Sequence, residues 1–167
     1  MNDELKGLYQ IYRDYAKHED NLVNWRLSWN LAAQGLLLAA FGLTIQKLFD
    51  ACESNSPVGF KLGLLKILVL ALPVVGFLIS TSSALGVLAA SLALKELQRK
   101  WREDIGAQFR AADAGAWGQL PGLTGGGSPS AHALGMIPAF TLPWIFSLVW
   151  FFLFFPGLAA ICNCPGH

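Results

Sequence analysis

Along the chain, long uncharged runs alternate with helical stretches whose charge sits beside an apolar stripe. No formal charge occurs over the 20 residues from Leu27 to Gln46 or the 28 from Ile67 to Leu94, and no Lys, Arg, Asp or Glu follows Asp113. A helix crosses a hydrocarbon layer in roughly 20 residues, so each uncharged run predicts a transmembrane helix. Buried helices of soluble proteins seldom run past about 14 apolar residues without interruption.

Two amphipathic stretches flank these runs. In residues 3–25, Leu5, Leu8, Tyr12, Tyr15 and Leu22 share one broad helical side, with Lys6, Arg13 and Lys17 in a stripe beside it. No proline separates this stretch from Trp25 and Arg26, so one helix is expected to run from the N-terminal region straight into the first span. Past the second span, Leu94, Leu97, Trp101, Ile105 and Phe109 recur at helical spacing among Lys95, Arg99, Lys100 and Arg102. That apolar seam needs cover, and the apolar side of residues 5–23 is its expected partner.

Turn-forming residues set the remaining boundaries. Ser54, Asn55, Ser56, Pro57 and Gly59 predict a short connection that makes the first two spans antiparallel neighbours. The run from Gly115 to Gly135, with Gly125, Gly126, Gly127, Ser128 and Pro129, reads as a loop. Its glycines lack the lysine and the preceding strand of a phosphate-cradling loop. The expected organisation is an all-α polytopic membrane protein with about three transmembrane helices and a cytoplasmic helical extension. Its segments are an amphipathic helix at 1–26, a first span at 27–49, an outer loop at 50–63, a second span at 64–94, an amphipathic helix at 95–112, a Gly/Pro-rich loop at 113–136, a third span at 137–161 and an outer tail at 162–167. Pro73 is expected to kink the second span. The third span is crowded with Phe and Trp, which suits lipid contact or an aromatic end belt.

Composition agrees with this pattern. Hydrophobic residues make up 54% of the chain and charged residues 14%, too apolar a mixture for an ordinary soluble domain. The net charge of +1 provides no field that would attract nucleic acid. Near the spans, residues 1–26 hold four basic residues and 95–136 hold five, against three in 47–66 and none after Ile161. The excess of positive charge predicts a cytoplasmic N-terminus and second loop, with the C-terminus outside.

Candidate chemistry is sparse. On the first span Asn30, Gln34 and Thr44 share an arc, and on the second Gly76, Ser80 and Ser83 form a small, weakly polar stripe. Such stripes act as helix-packing contacts or as the wall of a pore in an oligomer. No charged residue lies at mid-membrane, which argues against proton relays and ion-coupled transport. Lys95, Arg99, Trp101 and Arg102 form the expected partner-binding face of the cytoplasmic helix. His132, ahead of the third span, is a candidate pH-sensitive group. Cys52, Cys162 and Cys164 fall on the expected outer side, where an oxidising compartment would allow Cys52 to pair with one of the other two. With His167 they are too poorly spaced to read as a zinc site, and no metal, cofactor or catalytic constellation is expected.

The stretch His18, Glu19, Asp20 and Asn21 through Trp25 and Arg26 to Gln34, Gly35 and Leu36, together with Leu120, Pro121 and His132 ahead of a proline-containing aromatic span, resembles a group of small uncharacterised bacterial multi-spanning inner-membrane proteins. The resemblance implies a bacterial inner-membrane setting and carries no activity. Two functional expectations follow from the residues themselves. One is a homo-oligomeric membrane protein acting as a channel or membrane-permeabilising effector that responds to a cytoplasmic partner. The other is a non-conducting anchor or scaffold subunit for a soluble partner.

Overall fold

The computed structural model describes residues 3–53, 59–105, 123 and 129–163, and no strand occurs among them. Three helices follow in order: α1 Asp3–Glu53, α2 Gly59–Asp104 and α3 Pro129–Asn163. All three are long and apolar enough to cross a membrane, over Lys6–Cys52, Lys61–Asp104 and Ile137–Cys162.

Local sequence accounts for the helix ends. The 51 residues of α1 contain no proline, so the helix continues from its amphipathic start through the first uncharged run, a length of about 77 Å at 1.5 Å per residue. Its described residues end at Glu53. Both α1 and α2 extend into the 50–63 connection read from its turn residues, to Glu53 and from Gly59. Pro129 opens α3 at a first-turn position where a missing N–H costs nothing, so this helix begins eight residues before the expected span at 137. α2 is assigned as continuous through Pro73, which is fully buried.

The chain divides into two compact units, Met1–Arg26 with Leu85–Phe140 and Leu27–Ala84 with Thr141–His167. The core of the first unit is built on Trp101. Its indole packs against Tyr9 and Tyr12, with ring centroids 5.6 Å and 5.4 Å away, and Ala16, Leu94, Ile105 and Leu123 complete the cluster. The seam of α2 is thus covered by α1, but through Tyr9, Tyr12 and Ala16. Leu8, Ile11 and Tyr15 stay exposed. Ala16, a small residue, lies in the same cluster as the large indole, and the packed side of α1 is not the one that carries Leu8 and Tyr15.

The core of the second unit gathers Phe41, Leu48, Val69, Trp150 and Ala160. Phe41 meets Trp150 edge to face, with centroids 6.0 Å apart. Gly157 lets α3 approach α2 closely, since a Cβ there would lie 3.0 Å from Val69 Cγ1 and 3.3 Å from the Val69 carbonyl oxygen.

Candidate functional site

The second unit holds the densest polar cluster among the described residues, and Gln34 is its centre. On α1, Asn30 and Gln34 are one helical turn apart and both face inward, 3% and 0% exposed. Gln34 Nε2 donates to Asn30 Oδ1 at 3.1 Å, to Ser80 Oγ at 2.8 Å and toward the Gly76 carbonyl oxygen at 3.3 Å. From α3, Trp150 Nε1 donates to Gln34 Oε1. One carboxamide therefore bonds to groups on all three helices.

Size complementarity holds this arrangement as firmly as the hydrogen bonds do. A Cβ at position 76 would overlap the indole of Trp150, so only glycine leaves room for the ring to lie against α2. Trp150 is itself 0% exposed. The hydroxyl oxygens of Thr81 on α2 and Ser147 on α3 lie 3.4 Å apart; each has one proton, which it gives either across this gap or to the Phe77 or Pro143 carbonyl on its own helix. In lipid, where no water is present to satisfy stray groups, such internal pairing is what makes buried polar side chains tolerable.

The pairing is incomplete at one level. Asn30 Nδ2 and Ser83 Oγ are buried with no hydrogen-bond partner among the described residues. A buried donor or hydroxyl left unpaired typically costs about 1–3 kcal/mol.

Of the polar stripes read from the sequence, Asn30, Gln34, Gly76 and Ser80 come together here. Thr44 does not join them; its hydroxyl donates to the Ala40 carbonyl at 2.7 Å on its own helix. Ser83 is inward-facing but unbonded. Trp150 stands in the aromatic run whose composition suits lipid contact or an end belt, yet it is buried. The signal that reveals it is the buried seam Ala139, Pro143, Ser147, Trp150, Gly157 and Ala160, spaced by three, four or seven residues and otherwise composed of small side chains.

The expected partner-binding residues separate into two groups. Trp101 is buried in the core of its unit and offers no surface. Lys95, Arg99 and Arg102 are exposed. Arg99 is already engaged, bonding Glu96 at 2.6 Å and 3.0 Å and both carboxylate oxygens of Glu103 at 3.0 Å. The hydrogen bond from Arg99 holds the Glu96 carboxyl below its ordinary range, and Arg99 is in turn shifted upward, chiefly through that hydrogen bond. Arg102 Nε donates to the Gln98 carbonyl at 3.3 Å.

Cys52 is disulfide-bonded, while Cys162 is exposed and free. Cys164, His167 and the Gly125–Ser128 run lie outside the described residues, and His132 is placed only as part of the backbone of α3. No group of three or more His, Cys, Asp or Glu able to hold a metal occurs among the described residues.

No family model, curated protein or solved structure matches this chain.

Proposed function

We propose that the protein is a non-conducting membrane anchor whose paired helical extension, cytoplasmic by the distribution of its basic residues, presents a docking surface to a soluble partner. The observation that carries this reading is Gln34: with Ser80, Gly76 and Trp150, it uses the polar side chains of the spans inside a single chain. A pore assembled from several copies needs those groups turned toward a shared water-filled axis. Here they face one another, and the outward surface is apolar, with Leu36, Leu43, Ile67, Leu78, Phe152 and Phe155 among its exposed residues. Such a surface suits lipid.

The extension supplies the binding function in this reading. Exposed Lys95 and Arg102 on α2 are available for acidic groups of a partner, while Trp101 serves to hold the two helices together.

Reconstitution into liposomes tests the proposal. The expected outcome is no ion or dye flux at any pH or voltage, together with lowered stability in the Gln34→Leu variant. A reproducible conductance that changes in Asn30→Leu or Gln34→Leu would overturn it and restore the channel reading.

A further inference from the structure

Arg26 closes the amphipathic start of α1, and the next formal charge on that helix is Lys47. The 21 helical steps from one position to the other, enclosing 20 residues, span about 31 Å, which is the thickness of a bilayer hydrocarbon core. On α2 the same measure counted from Lys66 reaches Gly86, 20 residues or about 30 Å away. Arg26 Nη1 donates to the Gly86 carbonyl oxygen at 3.0 Å. Counted from Lys47 and Lys66, the two partners of this bond thus lie one hydrocarbon thickness along their helices.

The bond fixes the guanidinium in place without neutralising it. A carbonyl oxygen carries two lone pairs and no net charge, and a guanidinium has five N–H donors arranged as a planar fork. Among the described residues no carboxylate forms an ion pair with Arg26. The nearest acids on its own helix, Glu19 and Asp20, lie seven and six residues away, about 10 Å along the axis. A Cβ at position 86 would meet the Arg26 side chain at ordinary contact distance, 3.5 Å from Cδ, so the arginine lies directly against α2.

The neighbouring side chains have the chemistry a phospholipid would need. Trp25, adjacent in sequence, is 65% exposed, and an indole at that depth sits among headgroups. Leu85 of α2, one residue deeper than Gly86 by the same measure, is also exposed and offers an apolar surface to an acyl chain. A guanidinium without an ion-pair partner, with exposed apolar residues adjacent in sequence, has the chemistry to take a phosphodiester and its acyl tails, and arginine grips phosphate through two parallel hydrogen bonds.

We infer that Arg26, held by the Gly86 carbonyl and flanked by Trp25, binds the phosphate of an anionic membrane phospholipid. The full-length protein, purified into nanodiscs of phosphatidylcholine alone or with phosphatidylglycerol, provides the test, with retained lipids counted by native mass spectrometry. The wild type is expected to retain phosphatidylglycerol, Arg26→Gln to lose about tenfold or more in affinity, and Arg26→Lys to fall between them, because an ammonium keeps the charge but not the fork. Arg13→Gln, on the exposed surface of α1, is expected to behave as wild type. Equal retention by Arg26→Gln and wild type overturns the inference. Displacement of the lipid by inorganic phosphate at constant ionic strength would assign the site to a soluble phosphate instead and overturn it as well. Magnetisation transfer from lipid phosphorus to the Arg26 guanidinium in the wild-type protein gives a readout independent of how the variants fold, and its absence counts against the site.

Discussion

Trp150 on α3 donates its indole N–H to the Oε1 atom of Gln34 on α1, and both side chains are fully buried. Because the same carboxamide also donates to Ser80 on α2, the residue joins three helices through one planar group. The behaviour of variants at these positions follows from that geometry.

Gln34→Leu is expected to destabilise the protein by about 1–3 kcal/mol, since it leaves the Trp150 N–H and the Ser80 hydroxyl without this partner. Trp150→Phe removes the donor and leaves Oε1 unpaired. Combined in a double-mutant cycle, the two are expected to show a coupling of about 0.6 kcal/mol and at most about 1.7, the average and maximum found for hydrogen bonds between membrane helices. Reversible unfolding in bicelles measures it, and additive effects would show that the pair does not interact.

Gly76→Ala is expected to cost about 1–3 kcal/mol by overpacking against the indole. Trp150→Leu in the same chain should recover part of that loss by clearing the space. Thermal denaturation in detergent with both single variants and the double variant checks this, and an alanine as stable as wild type would show that the ring does not lie against α2.

Ser80→Ala and Ser83→Ala should differ although the residues are three positions apart. The first removes the closest acceptor of Gln34 and is expected to destabilise by about 1 kcal/mol. The second removes a buried hydroxyl with no partner among the described residues and is expected to be neutral or stabilising. Measured side by side, the reverse order would mean that the polar contacts are assigned to the wrong serine.

Trp101→Ala is expected to loosen the first unit by about 3–5 kcal/mol, because its indole contacts Tyr9 and Tyr12 and anchors the cluster. Tyr15→Ser, on the exposed side of α1, should change stability by less than about 0.5 kcal/mol. Hydrogen exchange of the amides around Ala16 and Leu94 separates the two, with faster exchange expected only in the tryptophan variant.

Cys162 is expected to react with a maleimide in the folded protein, whereas Cys52 should react only after reduction. Peptide mapping after labelling distinguishes them. Labelling of Cys52 before any reductant is added would show that the bond does not form in cells, and with it that this end of α1 faces a reducing compartment.

The helices and four of the five residues around Gln34, itself included, were legible in the sequence because one-dimensional periodicity carries that information. Uncharged runs of 20 and 28 residues can be counted, and Asn30 with Gln34, or Gly76 with Ser80, fall on one side of an ideal helix by arithmetic. What periodicity does not carry is which residue meets which across helices. Trp150 stands in a run of Phe and Trp whose average character says lipid, and only the small residues at Pro143, Ser147 and Gly157 separate its buried side from the exposed one. Likewise the packed side of α1 carries the small Ala16, while the larger Leu8 and Tyr15 stay exposed.

Gln34 also imposes an order on biogenesis. A chain made from its N-terminus delivers the α1–α2 hairpin first, with the carboxamide nitrogen already engaged by Ser80, but the oxygen waits for a donor 116 residues downstream. Until the ribosome has produced Trp150, the nascent hairpin carries an open acceptor into a medium that offers it no proton, and the translocon becomes the natural place for it to wait.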